Sequence, residues 1–416
     1  MYALLISGSN TWDNYRHQAD VCHAYQILKA EGVDPNNIIT MLYDDIAFNR
    51  LNPFPGQIFN NQNMKDVYSG VKIDYRGADV TVPNFQNILL GLPTNVGSGR
   101  VLQTTSEDNI LIYFSDHGNT GFVGFPNHQV LTAKQIHVTL NMMIQQRKFN
   151  DMVIYIEACF SGSLFNGILK NDSNIYAMTA SNERETSYGN TDSIQDITGA
   201  RVVLGDSFSS NLLNSIVFKD LTTTTLDEQF AFVQNATKMS HVKRYGSTAI
   251  GQQTVAEFLQ IIDFRDNEGD DDMKFEIPEN LLPPSTKGSL PSCVMPELLM
   301  MERFDKTSDM EEKRRLGRHL KNVFDVKNNI EKHSMEMYVD LMPQFRSSDP
   351  IMDPRLPPLR ITQLDCHDQV VRQFAVQCPE MMDNDFKNHF IATMTNLCEQ
   401  MVPASHIIQQ MIRHCT

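Results

Sequence analysis

No apolar run in this 416-residue chain approaches the ~20 residues that a membrane-crossing helix needs; NILIYFSD (109–116) and MVIYIEACF (152–160) are among the longest. No membrane span is expected. Positive charge is also short, with 35 Lys and Arg against 50 Asp and Glu and a net charge of −15. That sign argues against gripping nucleic acid or an anionic membrane through the net field. The chain opens without a charged segment followed by an apolar one, Met1 leading straight into YALLIS, so a signal peptide is expected to be absent or already removed. Glycine (21) and proline (18) are too few for a collagen-like or low-complexity chain, and no repeat of fixed period appears. Cysteine is scarce over most of the length: of seven, only Cys22 and Cys159 precede Cys293, while Cys366, Cys378, Cys398 and Cys415 crowd the C-terminal end. An odd count leaves at least one thiol unpaired, as buried filler or as a reactive group.

What remains is an ordinary globular composition, 41% hydrophobic and 20% charged, long enough for two or three domains. Short apolar runs at 2–7, 38–42, 109–115, 152–158 and 175–180 alternate with helical patterns at 17–32, 83–92, 132–148 and 207–217. This is the mark of an α/β fold with a mainly parallel sheet covered on both faces. From 265 to 292 an acidic run mixes with Pro, Gly and Ser and reads as a linker; its Gly269 stands at the fourth place from Asp266, not the sixth that a calcium loop requires. Beyond 296, apolar spacing predicts helices over 297–305, 310–345, 359–377, 380–400 and 403–414, an all-α second domain.

Two segments fall at carboxyl ends of predicted strands, where ligands and catalytic groups collect in open α/β sheets: SDHGN (115–119) and EACFSGS (157–163). If their strands are neighbours, His117 and Cys159 face a common crevice. A thiolate nucleophile, an imidazole that manages protons and backbone N–H groups for the oxyanion suffice for acyl transfer. On spacing alone, a buried structural cysteine and a loop histidine explain the same residues.

The strings SNTWDNYRHQADVCHAYQIL (9–28), MLYDDIAFNRLNPFPG (41–56), SDHGN and EACFSGS resemble the legumain family, the asparaginyl endopeptidases among caspase-like cysteine peptidases, and the likeness continues through DVYSGVKIDYRGADVTVPNF (66–85), TASNERETSY (179–188) and GDSFS (205–209). The resemblance implies a caspase-like mainly parallel sheet flanked by helices, followed by an all-α helical prodomain. It implies Cys159 as nucleophile, His117 as acid/base partner, Asn14 orienting the histidine and Gly118 supplying an oxyanion N–H. It also implies a primary specificity pocket of Arg16, His17, Glu157, Ser187 and Asp206. That mixture suits asparagine: Arg16 serves the amide oxygen while Glu157 and Asp206 accept from its nitrogen. Aspartate is expected to be cleaved mainly at acid pH. Phe160, after the nucleophile, and Thr186, before Ser187, depart from the family and bear on the pocket rim. A Gly-Asp-Ser hydrolase reading of Ser207 fails because that motif belongs near the amino end of its domain.

In the family the four C-terminal cysteines pair first with third and second with fourth, which implies Cys366–Cys398 and Cys378–Cys415, each worth about 2–4 kcal/mol. Cys22 and Cys293 are left as free thiols. The implied organisation is a catalytic domain over 1–264, a linker and activation peptide over 265–309, and over 310–416 a helical prodomain that makes the chain a zymogen. The basic stretch KRRLGRHLK (313–321) either docks on the acidic pocket or forms a solvated helix face. No Asn occurs between 281 and 321, so Asp305 or Asp309 becomes the self-cleavage site, with Asn267 and Asn280 as fallbacks. No metal or organic cofactor is required. Expected partners are protein and peptide substrates, the chain's own prodomain and cystatin-type inhibitors. Disulfides and the sequons at Asn171 and Asn235 point to a secretory, endolysosomal or extracellular setting. The alternatives are a glycolipid-anchor transamidase, which shares NYRH and the DYR string, and a non-catalytic caspase-fold binding protein.

Overall fold

The computed structural model describes residues 1–261, 289–342, 353–379 and 387–415. The acidic run, Asn267, Asn280 and the boundary at 264 lie outside the described residues.

The strands are β1 (Tyr2–Ser7), β2 (Ile38–Leu42), β3 (Tyr75–Arg76), β4 (Ile110–Ser115), β5 (Gly118–Asn119), β6 (Phe122–Phe125), β7 (Gln129–Thr132), β8 (Met152–Glu157), β9 (Ile175–Thr179), β10 (Ser193–Gln195), β11 (Arg201–Val203) and β12 (Lys243–Gly246). The helices are α1 (Tyr15–Ala30), α2 (Val82–Leu90), α3 (Ala133–Gln145), α4 (Ser207–Phe218), α5 (Leu226–Ala236), α6 (Val255–Leu259), α7 (Met295–Lys306), α8 (Met310–Leu341), α9 (Leu364–Gln377), α10 (Lys387–Glu399) and α11 (Ala404–His414).

Seven strands form the main sheet in the order β12-β9-β8-β4-β1-β2-β3. All pairs are parallel except β12 on β9. The near-continuous apolar strands follow from two covers. Leu5, Tyr113 and Tyr155 pack under α1 and α4 on one face, while Leu4, Ile112 and Ile154 pack under α2 and α3 on the other. The chain runs from β1 out to β2 and β3, then returns to place β4 on the opposite side of β1. That reversal opens a crevice at the carboxyl ends of β1 and β4. Helices α3, α5 and α6 each begin at a reciprocal capping box, on Thr132, Thr225 and Thr254. Strand β12 eluded the sequence pattern because KRYG is a half-exposed polar edge strand.

The C-terminal helices close their own core around Phe374, Phe390 and Leu397, and Phe122 and Val130 from the β6–β7 hairpin insert into it. The two bodies therefore share buried apolar surface. Cys366 is bonded to Cys398 and Cys378 to Cys415.

Candidate active site

Strands β4 and β8 are direct neighbours, with Ser115 opposite Glu157. His117 and Cys159 therefore leave the sheet side by side. The residue after the histidine is a glycine for a steric reason: a Cβ on Gly118 would overlap the carbonyl oxygen of Cys159 and stand 2.9 Å from Ala158 Cβ. Gly118→Ala is expected to destabilise the protein by about 1–3 kcal/mol, read in urea unfolding, because the backbones must part to admit the methyl group.

Asn14 occupies the N-cap position of α1 without capping it; its Oδ1 accepts from His117 Nε2 at 2.7 Å and its Nδ2 donates to the Asn10 carbonyl at 2.9 Å. The imidazole is thus held on one nitrogen by a group that is itself held. A cleft of about 330 Å³ opens beside it, lined by Ser9, Asn14, Asp116, His117 and Gly118 among others. Cys159 is fully buried, and the Ser187 N–H points at its sulfur at 3.4 Å. The Thr186 hydroxyl lies 3.1 Å from the same sulfur, so the departure at 186 touches the thiol directly. Phe160 has φ 55°, a left-handed turn that swings the chain from β8 into the following 3-10 segment.

Behind the thiol lies a buried polar pocket. Helix α1 is sunk almost entirely in the protein, polar residues included, and presents Arg16 and His17 into it. Arg16 Nε meets Asp206 Oδ1 at 3.0 Å. His17 accepts or donates at Ser9 Oγ (2.7 Å), stacks edge-on against His117 at 5.0 Å between ring centroids and faces Asp206 at 3.7 Å. Glu157 Oε2 accepts from both the backbone N–H and the hydroxyl of Ser209 in the first turn of α4, where the helix dipole favours an anion. Burial, reinforced by the Asp206 charge, pushes Glu157 well above the usual carboxylate range. Asp206 is raised by burial and brought partly back by Arg16. Burial, helped by the Arg16 charge, holds His17 well below the usual imidazole value.

Two participants were missed in the sequence. Asp20, one turn after Arg16 on α1, accepts from Asn60 Nδ2 at 2.7 Å and from the Asp206 N–H, and burial beside Asp206 pushes it well up. Its i+4 spacing from Arg16 was the available signal. Ser292 is the other: Leu290–Ser292 runs antiparallel to Ser187–Gly189, with Gly189 N–H donating to Leu290 O (3.0 Å) and Ser292 N–H to Ser187 O (2.9 Å). No sequence signal marks a segment 105 places from Ser187 as its pairing partner. Pairing brings Cys293 onto Cys159, and their sulfurs are in bonding contact. The expectation of a free Cys293 is thereby corrected; only Cys22 stays free among the described cysteines, buried, with its thiol pushed up by that burial.

The basic stretch does not dock on the pocket. Arg315 pairs with Glu312 and Lys321 with Asp325, both on α8 itself. Arg303 of α7 serves that role at the rim, buried between Asp13 at 2.5 Å and Asp196 at 3.2 Å. Ser207 donates to the Gly189 carbonyl at 3.0 Å, the bond of a structural serine.

A parallel sheet that carries a thiol and an imidazole on adjacent strand ends, above a buried acid–base pocket, is the architecture of an α/β cysteine endopeptidase. The chain belongs to the Peptidase C13 family, whose profile matches residues 1–269. It is 36% identical to the hemoglobinase of Schistosoma mansoni over 417 residues, covering 100% of this chain and 91% of that protein. Identity to the legumain of Homo sapiens is 35% over 419 residues, covering 100% and 92%. The vacuolar-processing enzyme delta-isozyme of Arabidopsis thaliana is 33% identical over 437 residues, covering 100% and 90%. Among solved structures, caspase-1 from Spodoptera frugiperda is similar over 59% of this chain and 85% of its own, at 10% identity and a TM-score of 0.34.

Proposed function

We propose that this cysteine endopeptidase cleaves after asparagine and is held as a proenzyme by its helical domain. Cys159 is the nucleophile and His117 the general acid and base, oriented by Asn14. With Nε2 committed to Asn14, Nδ1 is the atom that exchanges a proton with the thiol. Thiolate attack makes an oxyanion received by the N–H groups of Gly118 and Cys159, and the imidazolium then protonates the leaving amine. Water resolves the thioester, or an incoming amine does, which is a ligase side reaction.

One observation carries the specificity. Ser292 donates its hydroxyl to Asp206 Oδ1 at 3.0 Å while its carbonyl accepts from Arg16 Nη2 at 3.3 Å. One donor and one acceptor are also what a carboxamide offers, so asparagine answers Arg16 with its oxygen and Asp206 and Glu157 with its nitrogen. His17 and Ser187 complete the wall. An ionised aspartate has no donor and is repelled by the same carboxylates, so it enters when acid protonates it.

Acid also favours separation of the two bodies. Glu312 is held below the usual carboxylate value chiefly by Arg315 on its own helix, and the smaller share from Arg50 of the catalytic body is the part that bears on docking. Its contribution is present above the ordinary value and is lost as pH falls through the depressed one. His367 of α9 is fully buried against the Thr120 carbonyl, 3.0 Å away, and burial lowers its pKa. Its neutral ring stabilises docking above the ordinary imidazole value, and that support is lost as pH falls through the lowered one. Asp20 and Glu157 behave oppositely: raised in the fold, they stabilise the catalytic body below the ordinary carboxylate value and lose this as pH rises. Lowering the pH thus loosens the cap and firms the core.

The working division is a catalytic domain over 1–264, an activation segment over 265–309 and a prodomain over 310–416. Asp305 and Asp309 are exposed at the junction of α7 and α8. The 12 residues of α7 span roughly 18 Å, so self-cleavage there needs a lifted cap or a second molecule. Substrates, the prodomain and cystatin-type inhibitors are the partners of this reading, in a secretory, endolysosomal or extracellular setting.

Protein preincubated in acid with a thiol reductant is tested on peptides with Asn, Asp or Arg at P1, with intact mass followed in parallel. Expected are cleavage after Asn, cleavage after Asp only at acid pH, and a mass loss ending at Asp305 or Asp309. A preference for Arg would overturn the pocket assignment.

A further inference from the structure

We propose that Cys293 is a covalent latch on the nucleophile: a Cys159–Cys293 disulfide closes the proenzyme and is opened by thiol reductant. The inference rests on Cys159 being the nucleophile. The Cα atoms of the two cysteines are 6.6 Å apart, inside the roughly 4.4–6.8 Å that a disulfide spans.

The approach is built by the surrounding chain on both sides. Before Cys293, residues 290–292 are strand-paired to 187–189, and Ser292 is tied to Arg16 and Asp206 in the pocket. Cys293 is the middle residue of a 3-10 turn, Ser292–Val294, that leads into α7, where Met295 and Leu299 are buried against Val203 and Arg303 is clamped by Asp13 and Asp196. Between these anchors Cys293 has little freedom to point elsewhere. Cys159, Phe160 and Cys293 form a buried cluster of their own, and the Thr186 hydroxyl reaches both sulfurs, 3.1 Å from Cys159 and 3.3 Å from Cys293.

Closure is a thiol–disulfide exchange with a small disulfide such as oxidised glutathione. One protein thiolate attacks a sulfur of that disulfide and releases one thiol. The second protein thiolate then displaces the other thiol from the mixed disulfide, forming the Cys159–Cys293 bond. Two electrons pass from the protein to the small disulfide, and the two protons lost by the cysteines end on the released thiols. A thiol or dithiol reverses both steps.

The latch adds a condition to activation. A cut at Asp305 or Asp309 lies C-terminal to Cys293, so it leaves Cys293 on the catalytic fragment and the bond intact. Because Cys159 itself makes the cut, reduction has to come before self-cleavage, and a cut made by another protease would still leave the enzyme latched.

Full-length protein prepared without reductant is alkylated with iodoacetamide, digested and mapped, beside Cys293→Ser. The Cys366–Cys398 and Cys378–Cys415 peptides report that the oxidised framework is intact, and circular dichroism reports the fold. Expected is a linked Cys159–Cys293 peptide that mild dithiothreitol dissolves, with Cys159 alkylated at once in Cys293→Ser. Acid preincubation without reductant should leave wild type full length, acid preincubation with reductant should mature it and raise its activity by more than about tenfold, and Cys293→Ser should mature to the same activity in both. Equal alkylation of Cys159 in the two unreduced proteins, with no linked peptide, overturns the latch. If Cys293→Ser exposes Cys159 yet cleaves no peptide after maturation, the peptidase reading falls and the bond stands. If unreduced wild type is fully active, the latch falls and the peptidase stands.

Discussion

Cys159→Ala lowers kcat/KM on an Asn peptide by about 10⁴ or more, because nucleophile and base act as one unit and neither retains function alone. Neighbouring hydroxyls do not substitute. Thr186 and Ser187 lie 3.1 and 3.7 Å from the sulfur, but an alcohol at these distances is a far weaker nucleophile than a thiolate. Two measurements separate loss of chemistry from loss of fold: a thermal melt, expected to match Cys293→Ser, and intact mass after acid treatment, expected to remain full length. Turnover within tenfold of the parent would end the cysteine mechanism.

Arg16→Met destabilises the protein by about 3–5 kcal/mol near neutral pH, the usual result of removing one partner from a buried ion pair. Both partners are almost fully buried, Arg16 at 1% and Asp206 at 0% exposure. Without the guanidinium, Asp206 is left among the Asp20 and Glu157 carboxyls with no cation beside it. The deficit should shrink at acid pH, where these raised carboxyls take up protons and the uncompensated charge disappears. Asn cleavage should fall by about 10–10²-fold through loss of a charged hydrogen bond to the amide oxygen. Arg16→Lys, which keeps the charge without the fork, should recover stability more than activity. Melting points that match wild type at neutral pH, or unimpaired Asn cleavage, would show that Arg16 is not the keystone of the pocket.

The catalytic half was largely legible. The five sequence-read strands lie within a residue of the observed ones because each is a short apolar run buried on both faces, a pattern carried within the strand itself. The placement of His117 and Cys159 at carboxyl strand ends was legible because it needs no long-range information beyond strand order, whereas their roles were read from the family's strings. The β6–β7 hairpin was not, since FVGF and QVLT are short and divide their burial between two cores, Val123, Phe125 and Leu131 in that of the main sheet and Phe122 and Val130 in that of the C-terminal helices. Asp20, Arg303 and His367 were passed over as ordinary polar residues on helices, because their burial comes from a different part of the chain in each case.

Sequence alone determined the α/β class, the placement of Cys159 and His117 at strand ends and the separate helical region, all of which are local patterns or recognisable strings. The tertiary structure alone decided what lies across the thiol. Whether Cys293 is an idle linker cysteine or the partner of Cys159 depends on pairing between residues 290–292 and 187–189, a backbone contact that any extended segment could make. Hydrogen bonds between backbones carry no side-chain signature, so only the folded chain shows which segment received them.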